Sequence, residues 1–340
     1  MVCPHTFRAN ASFRRIAVKN RLALIFALIT VLLVAVPPLA GATTLVITSS
    51  NSALGNRLLV YDTSGTLLQS AATGGLGGVA GNAGGIAASD DSVAVVNFGS
   101  QSVSLFDIVG STAQLRQVVA TLSGPVSVAF GKDHLYVLGT QFVESHRIRG
   151  HDVDDAADGF TALRHADGSA AQVGVMADQL LITEKSNEVE VVDLNGGVVT
   201  GPAVDVAIPA GSDTPLGLTT RGANGYVTIA HSDEVALIKH GDLIALTGSE
   251  TQHAPCWLTP SHSISRYVVT GTQVVLDAAV AATTAGAPTD IASSAHLVAV
   301  LDGGAQTHLT QFSVDGDGDL HQTATTIVSN GANGVVVIQR

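Results

Sequence analysis

The sequence predicts an all-β fold on three observations. Short runs alternate apolar and polar residues with a period of two, as in Ser102–Phe106 and Glu188–Val192. No run after residue 43 keeps a helical period over ten residues. Glycine is frequent, with 36 in 340 residues, which suits a chain with many tight turns.

The first 42 residues have the pattern of a secretory signal peptide. Five basic residues precede an uncharged apolar run from Leu22 to Val36, and Pro37, Pro38 and the small residues Ala40–Ala42 follow it. The run is shorter than the ~20 residues of a membrane-spanning helix, so cleavage after Ala42 is preferred over an uncleaved anchor. We therefore expect residues 1–42 to be removed and residues 43–340 to form one secreted or periplasmic domain.

Charge restricts the partners of the mature chain. Removal of 42 of the 340 residues leaves 298, with 11 basic and 28 acidic side chains and a net charge of −17. Such a field repels anions, so nucleic acid and sugar phosphates are poor partners, and no membrane contact is expected after cleavage. A monomer that binds a small neutral molecule or a protein partner is expected. Cys256 is then the only thiol, which excludes an internal disulfide.

The mature sequence repeats with a period near 42 residues. Each copy begins with a five-residue motif. The motif has a proline or small residue first, any residue at the second and third positions, an apolar residue fourth and a small residue fifth. Three further β-rich runs follow most openings. Four strands at this period are typical of the blade of a β-propeller. The six copies begin at Ala83, Pro125, Ala170, Pro215, Pro255 and Pro288.

The two chain ends complete one further copy. Residues 45–71 supply only the later strands of a blade, whereas Ala332–Val337 repeats the opening strand with nothing after it. The sequence therefore predicts a seven-bladed β-propeller closed by pairing of the C-terminal strand with the N-terminal blade. The copy at Pro255 is short, and we expect it to lack regular pairing between Arg266–Thr270 and Val274–Leu276.

Particular sequence motifs within the repeats resemble those of a known family. Gly84–Ser89, Val95–Phe106, Pro125–Val128, Pro288–Ala292 and Val314–Leu320 are examples. Over residues 45–340 the chain resembles the lactonase-type seven-bladed propellers, which include 6-phosphogluconolactonase and carboxymuconate cyclase, and most of all a secreted branch of them. The resemblance implies a lactonase-like enzyme that hydrolyses or forms a small-molecule lactone at the mouth of the axial channel. The alternative is a non-catalytic propeller that acts as a binding scaffold.

Candidate site residues come from the turns around the axial channel. Turns that precede first strands and turns that join second to third strands lie on one side of a propeller, where polar residues converge. Lys185, His253, Glu184 and His231 are the catalytic candidates, for proton transfer or, in Lys185, positive charge. Glu184 and Lys185 are alternatively interpreted as a solvated pair, and His231 as a residue that only ends a strand, which leaves His253 as the preferred histidine. The ligand-binding candidates are Asn97, Ser127, Gln172, Trp257, Asp290 and Asp302.

No cofactor and no metal site is predicted. Gly74–Gly81 lacks the dinucleotide-binding spacing and is interpreted as a flexible loop between blades. Asp315–Asp319 has alternate carboxylates but lacks the glycine and the glutamate of a calcium loop. The acidic loop 151–158 has the residues to hold calcium, although a solvated loop is the preferred interpretation.

Overall fold

The computed structural model describes residues 43–249 and 263–340, and within them the fold is all-β. The strands form sheets of antiparallel neighbours arranged as a β-propeller. The first blade has strand order β28-β1-β2-β3, with β1 at Thr44–Ser49, β2 at Arg57–Tyr61, β3 at Leu67–Ala72 and β28 at Asn333–Gln339.

The next three blades follow in chain order. Blade 2 contains β4 (Ile86–Ser89), β5 (Ser92–Asn97), β6 (Ser102–Val109) and β7 (Thr112–Ala120). Blade 3 contains β8 (Pro125–Phe130), β9 (His134–Gly139), β10 (Phe142–Arg149), β11 (Asp152–Val153) and β12 (Gly159–Ala162). Blade 4 contains β13 (Ala170–Met176), β14 (Gln179–Glu184), β15 (Glu188–Asn195), β16 (Val198–Val199) and β17 (Val204–Asp205).

Two further blades and a hairpin complete the described strands. Blade 5 contains β18 (Pro215–Arg221), β19 (Asn224–Ile229), β20 (Glu234–Lys239) and β21 (Asp242–Gly248). The hairpin pairs β22 (Ser263–Thr270) with β23 (Gln273–Thr283). Blade 6 contains β24 (Ala287–Ser293), β25 (Leu297–Gly303), β26 (Thr307–Val314) and β27 (Leu320–Val328). Short 3₁₀ turns at Phe98–Ser100 and Ala230–Ser232 join second to third strands.

The prediction of seven blades is wrong, because the described chain forms six. The seventh copy is present only as the two-stranded hairpin. Its opening run at Pro255 lies outside the described residues, and only 33 residues separate Pro255 from Pro288, against 40 to 45 in the other intervals. The expected irregular pairing is also wrong, since Tyr267 pairs with Leu276 and Val268 with Val275.

Closure of the ring through the C-terminal strand is observed. Strand β28 pairs antiparallel with β1, and Ile338 stands opposite Leu45. Both side chains are buried in an apolar cluster shared by blades 1 and 2. The inner strands contact one another in the order β24, β28, β4, β8, β13 and β18.

The apolar core lies between neighbouring blades rather than inside any one of them. One cluster joins blades 2, 3 and 4 and includes Leu105, Leu138 and Ile182. Other clusters join blades 6 and 1 and blades 4 and 5. Among the described residues, no helix is long and apolar enough to cross a membrane.

Ring closure predicts unequal effects for two neighbouring residues of β28. We expect Ile338→Ala to lower the free energy of unfolding by about 2–4 kcal/mol, because it removes a buried side chain from the closing strand. Gln339→Ala is the matched control. Gln339 is exposed, so this variant is expected to change the free energy of unfolding by less than about 0.5 kcal/mol. Equal midpoints for both variants in denaturant titrations would contradict this closure.

Candidate functional site

Three predicted ligand-binding residues converge at the start of the inner strands. In β8, β13 and β24 the register with the second strand shifts by one residue just after the strand begins. A β-bulge of this kind re-aims the side chain that follows it. Ser127, Gln172 and Asp290 stand directly after these shifts, and all three side chains lie against Gly84.

The group that these side chains surround is a part of the chain itself, Val79–Gly85, which we call the axial segment. The Gly84 N–H donates to Asp290 Oδ2 at 3.0 Å, and the Gly84 carbonyl accepts from Ser127 Oγ at 3.0 Å. Gly84 has φ +63, and a Cβ there would lie 2.9 Å from Ser127 Oγ. Only glycine therefore combines this left-handed backbone with such a close approach.

Further bonds hold the axial segment to blades 1 and 4. Asn82 and Asn333 of β28 exchange amide hydrogen bonds of 2.8 and 3.2 Å. The Ala83 N–H donates to the carbonyl of Ala171 in β13 at 3.2 Å. A segment bonded to the inner strands of four blades lies at the centre of the ring. The axial mouth, where the sequence resemblance places a catalytic site, is thus occupied by the chain.

Residues 74–81, interpreted from the sequence as a loop between blades, are hydrogen-bonded and packed against the loop between β1 and β2. Asn51 accepts from the N–H groups of Gly78 and Val79 and donates to the Val79 carbonyl at 2.7 Å. Val79 is buried in the cluster between blades 2, 3 and 4. The glycines of residues 74–81 allow close packing, since a Cβ on Gly77 would lie 2.4 Å from the Asn51 backbone.

Lys185 lies beside the axial segment. Its Nζ donates to the carbonyls of Gly81 at 2.6 Å and Ala170 at 3.3 Å. Burial lowers the pKa of the Lys185 amine, and the nearby carboxylates of Asp167 and Glu184 oppose that change. The amine links blade 4 to the axial segment and lines neither of the two cavities described below.

Glu184 is fully buried at the end of β14. Burial, together with the nearby carboxylates of Glu190 and Asp167, raises the pKa of its carboxyl to about 8. Glu184 too lines neither cavity.

Asn97 is fully buried and joins blade 1 to blade 2. Its Oδ1 accepts from Thr73 Oγ1 at 2.8 Å and from Asn56 Nδ2 at 3.1 Å, and its Nδ2 donates to Ser104 Oγ at 2.7 Å. Gln172 acts in the same way between blades 4 and 5, since its Oε1 accepts from the Leu218 N–H at 2.7 Å. Both side chains therefore have structural roles between blades.

His231 lies in a 3₁₀ turn of blade 5. Its Nδ1 is 2.8 Å from Thr214 Oγ1 and 3.6 Å from Asp213 Oδ2, in the loop that precedes β18. The ring is partly exposed and is bonded to that loop. His253 and Trp257 lie outside the described residues, so their assigned roles stay predictions.

The acidic loop 151–158 has protein partners for its carboxylates. Asp154 pairs with Arg149 at 2.9 Å, and Asp158 accepts from Ser145 at 2.7 Å and contacts His134 at 2.9 Å. These contacts favour the structural interpretation of the loop over a calcium site.

One predicted residue, Asp302, belongs to an acid–base pair at a cavity. Asp302 is fully buried, its Oδ1 lies 2.9 Å from Nδ1 of His308, and its Oδ2 accepts from Thr310 Oγ1 at 3.1 Å. His308 lines a cavity of about 330 Å³ together with Ala285, Gly286, Gly303, Gly304, Ala305 and Gln306. A carboxylate that accepts from Nδ1–H leaves Nε2 as the basic nitrogen of the neutral imidazole. The pair can therefore take a proton from a molecule in this cavity.

His308 was missed in the sequence because nothing marks it within the alternating run Thr307–Phe312. A usable signal was present in the turn before it. Asp302 lies near the end of β25, His308 lies near the start of β26, and a short turn that contains Gly304 joins the two strands. The hairpin register sets Asp302 directly opposite His308, where cross-strand side chains touch.

A second cavity, of about 490 Å³, lies beside blade 4. It is lined by Asn187, Glu188 and residues 205–213, so three carboxylates, those of Glu188, Asp205 and Asp213, border it. Among the described residues, no lysine or arginine lines either cavity.

Solved structures share this arrangement of strands. The chain is similar to a "putative 6-phosphogluconolactonase" from Bacteroides uniformis ATCC 8492, at 14% identity and a TM-score of 0.63, over 87% of this chain and 99% of that one. A protein from Lactobacillus plantarum matches at 15% identity and a TM-score of 0.59, over 87% and 99%. A functionally unknown protein from Desulfotomaculum acetoxidans DSM 771 matches at 12% and 0.50, over 83% and 79%. No protein-family model and no curated protein matches the chain. The similarities show the propeller fold.

The close packing at Gly84 predicts a cost beyond backbone strain. Gly84 and Gly110 both have positive φ, +63 and +59, but a Cβ on Gly110 would meet nothing within 4 Å. We expect Gly110→Ala to lower the free energy of unfolding by about 1 kcal/mol through backbone strain alone. Gly84→Ala is expected to lower it by at least about 1 kcal/mol more, because the added Cβ also meets neighbouring side chains. Urea denaturation of both variants measures the difference. A smaller loss for Gly84→Ala would show that the axial segment is not tightly packed.

Asp290 predicts a dependence of stability on pH. Burial raises the pKa of its carboxyl to about 6, against the hydrogen bonds from Gly84 and Ile291, which lower it. The folded chain therefore holds this proton more tightly than the unfolded chain, and its contribution to stability declines as pH rises from about 4 to about 6. In thermal melts, the Tm of Asp290→Asn minus that of the wild type is expected to rise by about 2–5 °C over this interval and then level off. A difference independent of pH would contradict this assignment.

Proposed function

We propose that this lactonase-like propeller hydrolyses or forms a small neutral lactone at the cavity beside blade 6, with His308 as the proton-transfer residue. The observation that carries the proposal is the 2.9 Å contact between His308 Nδ1 and the fully buried Asp302, at the wall of that cavity. The resemblance of the repeats and the name of the Bacteroides uniformis neighbour support the choice of lactone chemistry.

The proposed hydrolysis needs one base. Nε2 of His308 takes a proton from water as its oxygen attacks the lactone carbonyl. Collapse of the tetrahedral intermediate breaks the ring C–O bond, and the leaving alkoxide receives the proton back from His308. The product is a hydroxy acid, and lactone formation is the reverse sequence. Asp302 holds the imidazole in the required tautomer and stabilises its cationic form.

A neutral substrate fits the charges better than an anionic one. The full chain has a net charge of −12, and removal of residues 1–42 makes it −17. The lining residues of the cavity include no lysine or arginine that would bind a phosphate. A cavity of about 330 Å³ also suits a small molecule. We further propose that the protein is exported, which the signal-peptide pattern of residues 1–42 supports. We also propose that it is a monomer.

The second candidate is a non-catalytic binding scaffold, favoured by the occupied axial mouth. Ser127, Lys185 and Asp290 are all bonded to the axial segment. A propeller in which the central polar residues bind its own chain keeps only its rim and its loops for partners. A small neutral molecule or a protein would then bind without turnover.

Turnover of a panel of neutral lactones distinguishes the two candidates. We expect His308→Gln to lower kcat/KM by about 10²–10³-fold and Asp302→Asn by at least about tenfold, because each impairs the base. His321→Gln is the matched control. His321 also contacts an aspartate, Asp315, at 2.9 Å, but it lines neither cavity. Its activity should equal that of the wild type.

Two outcomes would count against the enzyme. Absence of turnover for every lactone would favour the scaffold. Turnover that His308→Gln leaves intact would place the chemistry elsewhere, with His253 as the next residue to substitute.

A further inference from the structure

Blade 4 contains a carboxylate-rich cluster that the proposed chemistry does not use. His165, Glu190 and Asp205 each offer one ligand atom, and these atoms all lie within 4.8 Å of one another. His165 belongs to the loop between β12 and β13, Glu190 lies in β15 and Asp205 in β17. Glu190 and Asp205 stand opposite each other in the sheet register. The cluster thus joins blade 4 to the loop that precedes it.

Glu190 takes the place of a hydroxyl found in two other blades. The repeated register sets Ser104, Glu190 and Thr310 at equivalent positions, next to the strand-end residues Asn97, Glu184 and Asp302. Asn97 bonds Ser104 at 2.7 Å, and Thr310 bonds Asp302 at 3.1 Å. Blade 4 instead sets two carboxyl groups, Glu184 and Glu190, at these positions. Two carboxylates cannot provide a donor for each other, so the pair needs a proton or a cation.

The cluster also contains buried polar atoms without a partner. Glu190 is 0% exposed, and its Oε1 accepts from the N–H groups of Arg164 and His165 at 3.0 and 3.2 Å. Its Oε2 is buried and has no hydrogen-bond partner in the described part of the chain, and the same is true of His165 Nε2. His165 Nε2 lies 3.4 Å from Asp205 Oδ1 and 4.0 Å from Glu188 Oε2. Buried atoms left unbonded are costly, so two of them within one cluster of ligand-type side chains indicate an absent partner.

We propose that His165, Glu190 and Asp205 bind a divalent transition-metal ion, Zn²⁺ above all. One imidazole and two carboxylates suit Zn²⁺ or Mn²⁺ better than Ca²⁺ or Mg²⁺, which prefer oxygen alone. Ligand atoms around tetrahedral zinc are about 3.3 Å apart, close to the 3.4 Å between His165 Nε2 and Asp205 Oδ1. The ligand oxygen of Glu190 lies within 4.8 Å of both of these atoms.

Nearby charges leave the site attractive to a cation. Arg164 opposes binding, but its Nε pairs with Asp205 Oδ2 at 2.8 Å and leaves Oδ1 towards His165. Glu188 adds a further carboxylate. Asp205 and Glu188 also line the cavity of about 490 Å³, so coordination positions not filled by protein are accessible to water or a small ligand. The metal site does not depend on the proposed lactone chemistry at blade 6.

Metal titration of untagged, chelator-treated protein tests the proposal. Isothermal titration calorimetry with ZnCl₂ is expected to show one site per chain, and Zn²⁺ is expected to raise the Tm. Glu190→Gln, His165→Ala and Asp205→Asn are each expected to weaken binding by about tenfold or more and to abolish the rise in Tm. Asp205 is partly exposed, so its variant is informative even if the buried Glu190 variant fails to fold.

Glu144→Gln is the matched control. Glu144 occupies the equivalent position in blade 3 and has His146 Nε2 at 3.6 Å, but it belongs to no such three-residue cluster in the described chain. This variant is expected to bind Zn²⁺ as the wild type does. Absence of Zn²⁺ binding by the wild type would overturn the proposal and indicate that the buried carboxyl groups share a proton. Equal affinity in the wild type and all three cluster variants would overturn it as well.

Discussion

Burial between blades is the constraint on which this structure depends. The apolar clusters are shared by neighbours, as with Leu105, Leu138 and Ile182 across three blades, so no blade has a core of its own. A row of such sheets would expose apolar surface at both ends. Pairing of β28 with β1 completes blade 1 and brings it against blade 6, which closes the row at that point. The hairpin β22–β23 lies between blades 5 and 6 and contacts both.

The same closure determines what the centre of the ring can do. Inner strands brought together at the axis point polar groups at a narrow space, and those groups need partners. Here the axial segment supplies them, with Gly84 between Ser127 and Asp290 and Asn82 against Asn333. In the described part of the chain, cavities are found beside blades 4 and 6, where loop residues line them.

Much of the fold could be predicted because it depends on patterns of residues that are close together in the sequence. Alternation of apolar and polar residues identifies strands, and the repeated opening motif marks every described inner strand. The number of blades could not be read from the number of motifs, because the copy at Pro255 is too short for a full blade. The site was predicted only in part. Asp302 pairs with His308, which lines a cavity, whereas Lys185 and Asn97 are bonded to backbone and side chains that come from distant parts of the sequence.

By itself, the sequence determined the all-β class, the propeller repeat and the closing strand, because each depends on residue patterns within about 45 positions or on the two chain ends. Only the tertiary structure decided which polar residues are available. Lys185 meets Gly81 across 104 positions, and Gly84 meets Asp290 across 206. Contacts over such separations are set by how the sheets pack around the ring, and no local pattern records them. The same packing brings His165, Glu190 and Asp205 together and separates them from the pair of Asp302 and His308.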